Sequence, residues 1–213
     1  MNHLKLVTPS KLRNLQRSMS SLTEDRKWNK LNMIMNSFHE GFKLEFNTLY
    51  ELSDGSFNDR GLSLGLYLQS AKRFNDHLTM HHTIEETYLF PILGQRMNQF
   101  SKSAEDAAHI ASHRGIHEGL DKLKALVSRF KVEPSSYSPT EMRACLDSFR
   151  EVLFTHLDQE VEDLRGENLK KYFTLGGSRK LSDMRCIPIH CLYYIYKDFN
   201  STDCCRDVAD ADT

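Results

Sequence analysis

The chain has 213 residues, of which 39% are hydrophobic and 27% are charged, and its formal net charge at pH 7 is −1. This composition is typical of a soluble globular protein with one domain, and it excludes collagen-like and wholly disordered classes. The balanced charge gives no electrostatic drive toward nucleic acid or an anionic membrane surface, so we expect neither as a partner.

No targeting or membrane segment is predicted. The first twenty residues lack the apolar core of a signal peptide. The longest apolar stretch, between Cys186 and Tyr196, is shorter than the roughly 20 residues that a membrane helix needs. Four of the five cysteines fall after residue 185 and cannot form a disulfide framework for the main domain. We therefore expect a reduced, cytoplasmic protein.

Four long helices are predicted in chain order, at about residues 23–52, 62–93, 102–130 and 138–164. Apolar residues recur in each at spacings of three and four, which makes one apolar face per helix. Thr23 is a candidate N-cap for the first helix, and Pro91 should kink or end the second. The fourth opens with Ser138-Pro139-Thr140-Glu141, a capping box with proline at the first helical position.

Short connections between four helices predict an all-α fold, an up-down-up-down four-helix bundle. We divide the chain into an N-terminal extension at 1–22, the bundle at 23–174 and a C-terminal tail at 175–213. The tail begins with a glycine pair and ends in an acidic run, so we interpret it as flexible rather than as part of the core.

Histidine spacing is the strongest functional signal. Six pairs place a His four residues before a His or Glu, where a shuffled sequence of this composition would give roughly one. Residues four apart lie on the same face of a helix, so each pair can offer two metal ligands to one point. The pairs are His77–His81, His81–Glu85, His82–Glu86, His109–His113, His113–His117 and His156–Glu160.

The predicted bundle can bring ligands from all four helices to one level. Five imidazoles and two carboxylates are too many for one tetrahedral zinc ion and suit two first-row metals bridged by carboxylates, with an open position left over. Imidazole with carboxylate favours iron. Burying that many ionisable groups without a metal would be costly. The candidate ligands are His39, His82, Glu86, His113, His117, His156 and Glu160.

The same segments resemble the hemerythrin-like (HHE cation-binding) family over about residues 25–172. The resemblance is carried by HEGF at 39–42, HHTIEETYLFP at 81–91, HRGIHEGL at 113–120 and HLDQE at 156–160, which stand in the order of the family's motifs. The stretch DLRGENLKKYFTL at 163–175 is similar to the end of fungal members. The resemblance implies a four-helix bundle that holds two non-haem iron ions, Fe2+ or Fe3+.

The resemblance also implies roles for the ligands. The Leu-Phe pair that follows Glu86 favours His82 and Glu86 over His81 and Glu85 in the second helix. Glu86 and Glu160 are then the bridging carboxylates. Respiratory members carry Asp five residues after the fourth-helix His, where this chain has Val161. The resemblance is therefore to non-respiratory members, and we expect reaction with O₂ rather than reversible carriage.

Other candidate residues receive plainer interpretations. We expect His81 and Glu85 to support a ligand rather than to bind, and His77 and His109 to lie at the surface. The cysteines of the tail, with His190, have a spacing that fits no standard zinc site.

Three functions stay open from the sequence. The leading hypothesis is a di-iron protein that binds or reacts with O₂, peroxide or a related small ligand, a binding protein more than an enzyme. A di-iron oxidase is the second, although the Glu-x-x-His pairs of ferritin-like bundles are absent from the sequence. The third is an iron-dependent regulatory or interaction module, in which metal binding is coupled to folding and to a protein partner of unknown identity.

Overall fold

The computed structural model describes residues 9–102 and 107–175, with side chains from residue 19 onward. All regular elements in these ranges are helical, which confirms the all-α bundle. The α-helices are α1 (Pro9–Trp28), α2 (Lys30–Leu52), α3 (Leu64–Ile84), α4 (Phe90–Leu93), α5 (Ala108–Val132), α6 (Pro139–Asp163) and α7 (Gly166–Leu169). A π-helical turn covers Glu85–Leu89, and short 3₁₀ turns cover Asn98–Phe100 and Pro134–Ser136.

The bundle is formed by α2, α3, α5 and α6. Helix α2 packs against α3 and α6, and α5 packs against the same two neighbours. The Tyr67 hydroxyl of α3 donates to the Leu49 carbonyl of α2, while further along His39 meets His81, so these two helices run antiparallel. No helix in the described part of the chain is long and apolar enough to cross a membrane.

The first predicted helix is two helices, divided at Asn29. The reason is tertiary, because the Asn29 side chain accepts a hydrogen bond from the Gly166 N–H at 3.0 Å and donates to the Asp25 carbonyl at 3.0 Å. Trp28 is buried beside this contact. Helix α1 also begins at Pro9, inside the predicted N-terminal extension. Apart from Leu175, the predicted tail and its cysteines lie outside the described residues.

The second predicted helix is interrupted one turn before Pro91. The Phe90 N–H donates to the Glu85 carbonyl, five residues back, which defines the wider π turn. Pro91 has no N–H to donate, so it sits at the start of α4, where that group has no intrahelical partner. Such π turns inside helices are frequent at functional sites, and this one begins at Glu85.

The fourth predicted helix agrees with α6 to within a residue at each end. The Ser138 side chain caps it by accepting from the Glu141 N–H at 3.2 Å, as the capping box predicts. The third predicted helix begins later than expected, at Ala108.

Two apolar clusters occupy the two ends of the bundle interior. The large apolar cluster includes Phe46, Phe74, Leu120 and Phe149, and lies between all four bundle helices. The small apolar cluster is built from the end of α1, the start of α2, the π turn with α4, residues 97–100 and the 164–173 segment. It includes Trp28, Leu31, Phe90, Phe100 and Leu164. A layer of ionisable side chains separates them.

Candidate metal centre

The histidine layer lies between the two apolar clusters and receives side chains from α2, α3, the π turn, α5 and α6. All eight of its members are at most 5% exposed: His39, His81, His82, Glu85, His109, His113, His156 and Glu160. Ionisable groups are rarely buried at this density without a compensating partner. Ligand atoms of the layer form three groups that are compact enough for a metal ion.

The first group contains His39, His81 and Glu85. The Nε2 atoms of the two histidines are 3.1 Å apart, and Glu85 Oε1 lies 2.8 Å from His81 Nε2 and 4.0 Å from His39 Nε2. The Phe42 ring packs on His81 at a centroid distance of 5.0 Å and closes this side to water.

The second group shares Glu85 and adds His82, His113 and His156. Glu85 Oε2 lies 3.4 Å from His113 Nε2, which is itself 3.0 Å from His156 Nε2. The rings of His82 and His113 stack at a centroid distance of 3.9 Å. One carboxylate therefore faces two sets of imidazoles, one oxygen to each.

The third group contains His109, His156 and Glu160. Glu160 Oε2 lies 3.5 Å from His156 Nε2 and 3.7 Å from His39 Nε2. The second carboxylate thus also stands between histidines of two helices.

Hydrogen bonds fix the orientation of two imidazoles. His39 Nδ1 is 2.8 Å from the Leu157 carbonyl, which can only accept, so the proton of the neutral ring is on Nδ1 and the Nε2 lone pair faces the layer. His113 Nδ1 is 2.8 Å from Glu86 Oε1, which orients that ring in the same way. Partners of this kind on the outer nitrogen are what metal-binding histidines require.

Burial controls the protonation of the layer. It lowers the pKa of His81 to about 3 and that of His113 to about 4. It lowers the pKa of His39, His82 and His156 well below the ordinary value, so these rings are neutral. Burial raises the pKa of Glu85 and Glu160 well above the ordinary range, and neighbouring carboxylates, Glu86 for Glu85 and Glu85 for Glu160, act in the same direction.

Unsatisfied atoms show that a cation fits the layer. No hydrogen bond of acceptable geometry reaches the four carboxylate oxygens of Glu85 and Glu160 or either ring nitrogen of His82, although all are buried. Leaving such groups without a partner costs roughly 1–3 kcal/mol each. Imidazole nitrogens and carboxylate oxygens in one dry layer are a donor set for divalent first-row metals.

The structure brings five of the seven predicted ligands together and leaves two at the rim. His39, His82, His113, His156 and Glu160 all belong to the buried groups. The Glu86 side chain is 35% exposed, and its bond to His113 holds the pKa of Glu86 below the ordinary value. His117 is half-buried, with its ring 5.3 Å from that of His82.

Three members of the layer, His81, Glu85 and His109, stand outside the ligand set predicted from the sequence, which gave His81 and Glu85 a supporting role. The expectation that His109 lies at the surface is wrong, since it is 1% exposed and stacks on Phe100 at 4.4 Å. A signal existed for all three. The inner stripe of α5 continues from His109 through 113, 116, 120 and 123, and that of α3 through 71, 74, 78, 81 and 85, both at alternating spacings of three and four. His77 is half-buried, with its Nδ1 atom 3.8 Å from Glu45.

Comparison with known proteins agrees with the geometry. One relative, a dimeric xanthone biosynthesis cluster protein R11 of Cryptosporiopsis sp. (strain 8999), is 37% identical over 93 residues. The match covers 43% of this chain and 32% of that protein, so the chain spans about a third of its relative's length. No solved structure matches. The family model of the hemerythrin HHE cation-binding domain matches residues 31–165, which include the whole histidine layer, and the chain belongs to this family.

Proposed function

We propose that the chain is a non-haem di-iron protein that binds or reacts with O₂, peroxide or a related small ligand. The observation that carries this proposal is the position of two buried, unpartnered carboxylates, Glu85 and Glu160, each between histidines of different helices. Two buried carboxylates, each beside histidines of more than one helix, fit two metal ions better than one.

The ligand set that we propose is adjusted from the sequence prediction. His39, His82, His113, His156 and Glu160 keep the roles predicted for them. Glu85 takes the bridging role in place of Glu86, and His81 joins His39 beside it. Glu86 orients His113 through the bond to its Nδ1 atom. His117 remains a candidate ligand at the rim, beside His82.

When bound, a pair of ferrous ions supplies electrons and an open coordination position for a small ligand. The chain supplies a dry and narrow environment, because Phe42 and Phe90 pack against His81 and His113 at centroid distances of 5.0 and 5.1 Å. Metal binding also requires both buried carboxyls to lose their protons, so loading releases protons and is favoured by higher pH.

Iron content of two matched variants tests the ligand assignment. The apo protein is loaded anaerobically with Fe²⁺, desalted and assayed for iron, and we expect about two ions per wild-type chain. Glu85→Gln should lose at least one ion, because an amide bridges metals poorly. Glu86→Gln removes the same charge one residue away and should keep both ions. One tightly bound zinc ion that iron cannot replace, or the reverse order of the two variants, would contradict the proposal.

Reaction with O₂ separates the functional alternatives. Anaerobic, reduced protein is mixed with O₂ in a stopped-flow instrument, and the gas is then removed. We expect rapid oxidation that degassing does not reverse, since Glu160 and Val161 replace the respiratory arrangement. Full recovery of the reduced spectrum on degassing would show reversible carriage instead, and no spectral change at all would favour a regulatory module.

A di-iron oxidase is the second candidate function. It is favoured by the relative whose name assigns it to a dimeric xanthone biosynthesis cluster. Repeated O₂ consumption in the presence of a reductant would support an oxidase, whereas a single turnover per loaded centre would support a binding protein.

A further inference from the structure

Helix α1 carries an apolar stripe, and the side chains described in it are exposed to water. Leu12, Leu15, Met19 and Leu22 recur in the sequence of α1 at spacings of three and four, which places these positions on one face of the helix. The Met19 side chain is 62% exposed and that of Leu22 is 59% exposed. Contiguous apolar side chains that face water mark interaction surfaces, so the stripe of α1 is a candidate docking surface.

The chain itself leads to this surface. Leu175, the last residue that the structure describes, packs against the small apolar cluster. It also lines an open hollow of about 420 Å³ together with Met19 and Thr23 of α1. The segment that follows Leu175 therefore starts beside the stripe.

The length of chain after Leu175 is sufficient to reach the whole stripe. Cys186 stands 11 residues further along the sequence, and such a length spans up to about 36 Å when it is extended. The stripe from Leu22 back to Leu12 is about 15 Å long, at the rise of an α-helix. Residues beyond Cys186 can therefore lie anywhere along it.

The segment at 186–199, CIPIHCLYYIYKDF, has the composition that an apolar surface needs. Eight of its 14 residues are Ile, Leu, Tyr or Phe, and its charged residues are Lys197 and Asp198. Charges outside the apolar parts are complementary. Residues 9–18 of α1 include three basic and no acidic residues, whereas residues 200–213 include four Asp and one Arg. A segment that runs along the stripe from Leu22 toward Leu12 brings the acidic end near the basic start of α1.

We propose that the segment 186–199 docks on the apolar stripe of α1. A tethered segment has an effective concentration of about a millimolar, so it is favoured over a second copy of the chain at micromolar concentration. Both α1 and the segment lie outside residues 31–165, which the family model matches. The two elements are thus additions to the family domain that bind each other. Docking requires no metal, and it replaces the interpretation of this part of the tail as flexible.

Native cysteines test the docking in the full, reduced chain. Cys191 lies in the segment and Cys204 follows it. Alkylation with iodoacetamide is followed by peptide mass spectrometry, and each rate is divided by the rate in the urea-unfolded chain. We expect Cys191 to react at least about tenfold more slowly than Cys204, because a docked population of about nine in ten protects it by that factor. Buried Cys145 should stay unmodified while the bundle is folded. Equal normalised rates at Cys191 and Cys204 would overturn the proposal.

Matched double variants test where the segment docks. Met19→Gln with Leu22→Gln removes the apolar side chains of the stripe but keeps residues that are compatible with a helix. In this variant Cys191 should react as fast as Cys204. Met33→Gln with Leu44→Gln changes two side chains of α2 that are 63% and 69% exposed, and it should leave Cys191 protected. Protection that persists in the α1 variant, or that is lost equally in the α2 variant, would overturn the placement on α1.

Protein concentration separates the chain's own segment from a second copy. The protection of Cys191 should be equal at about 1 and about 100 µM protein, because a contact within one chain does not depend on concentration. Protection that increases with concentration, together with a dimer in sedimentation velocity, would show that a second copy covers the stripe and would overturn the proposal.

Discussion

The large apolar cluster and the histidine layer lie next to each other on the same four helices but differ in how they contribute to stability. In the cluster, Phe46 makes edge contacts with Phe74 and Phe149, at centroid distances of 5.9 and 5.5 Å, and neighbouring side chains fill the space around them. In the layer, the carboxyl oxygens of Glu85 and Glu160 and both ring nitrogens of His82 are buried without a hydrogen bond. The difference indicates that the cluster stabilises the fold with or without a ligand, whereas the layer is stabilising only when a cation satisfies it.

Substitutions in the two regions should change the stability of the apo protein in opposite directions, and this is the largest effect that we expect. Phe74→Ala should lower the free energy of unfolding of the apo protein by about 3–5 kcal/mol, because Phe74 is fully buried and its removal leaves a cavity. His82→Leu should raise it by about 1–3 kcal/mol, because two unsatisfied nitrogens are replaced by a side chain of similar size. Urea unfolding followed by circular dichroism measures both.

Metal content provides the second half of that test. His82→Leu should lose iron, while the folded fraction of Phe74→Ala keeps it. His77→Leu is the control for His82, since it changes a half-buried histidine on the same helix outside the layer, and it should keep the wild-type iron content. A destabilised apo His82→Leu protein would show that this ring contributes favourable packing and that the layer is not costly.

The stability of the apo protein should depend on pH through the titratable groups of the histidine layer, since the large apolar cluster contributes none of the groups with a lowered histidine pKa. Burial lowers the pKa of five histidines, to about 3 for His81 and about 4 for His113. Below pH 6.5 the unfolded chain binds these protons and the folded chain does not, so the free energy of unfolding falls as pH falls. Glu85 and Glu160 act in the opposite direction, because their raised pKa values let the folded chain hold protons that the unfolded chain releases above pH 4.5.

The effect of the five histidines on stability is larger than that of the two carboxyls. We therefore expect the free energy of unfolding of the apo protein to fall by a few kcal/mol between pH 6.5 and pH 5. Thermal unfolding of chelator-treated protein in matched buffers measures it. The metal-loaded protein should keep its stability to lower pH, since bound imidazoles do not take up protons until the metal leaves. An apo protein with the same melting temperature at pH 7 and pH 5 would contradict the assigned protonation states.

The fold could be predicted from sequence where apolar spacing alone determines it. Four helical stripes and the Ser138 cap are local signals, and the structure follows them. The break at Asn29 could not be predicted, because it depends on a hydrogen bond to Gly166, 137 residues away. The π turn was signalled only by Pro91, which predicts an interruption but not the extra width that precedes it.

The candidate site could be predicted from the pairs in which a His stands four residues before a His or Glu. These pairs identify which turn of each helix contributes to the histidine layer. They could not choose between Glu85 and Glu86, since both stand four residues after a histidine. The inner stripe of α3 runs through Leu78 and His81 and reaches Glu85 at the next step of four, so it predicts that Glu85 faces inward. The rim position of half-buried His117 and the burial of His109 follow from the same kind of stripe. The spacing of a histidine to the apolar residues of its helix is therefore more informative than its spacing to another ligand.

Gly119 lies on α5 against Phe149 of the large apolar cluster, and its substitution is expected to change stability least. A Cβ atom at this position would lie 2.3–2.5 Å from three atoms of Phe149, including its Cβ, so α5 and α6 can approach this closely only with glycine on α5. Gly119→Ala should therefore force the helices apart and destabilise the protein by about 1 kcal/mol, as overpacking exceeds the gain in helix propensity. Its control, Gly115→Ala on the same helix, places Cβ 3.7 Å from Val152, an ordinary contact, and should stabilise by up to about 1 kcal/mol.

The informative measurement on these two glycine variants is metal affinity. Helices α5 and α6 carry His113 and His156, whose Nε2 atoms are 3.0 Å apart, so a wider spacing between the helices moves two ligands away from each other. Co²⁺ affinity should fall in Gly119→Ala and stay unchanged in Gly115→Ala. Because neither substitution alters a ligand or a hydrogen bond of the layer, a loss confined to Gly119→Ala would show that packing in the large apolar cluster sets the distance across the histidine layer. Unchanged affinity in both would show that the layer adjusts independently of the cluster beside it.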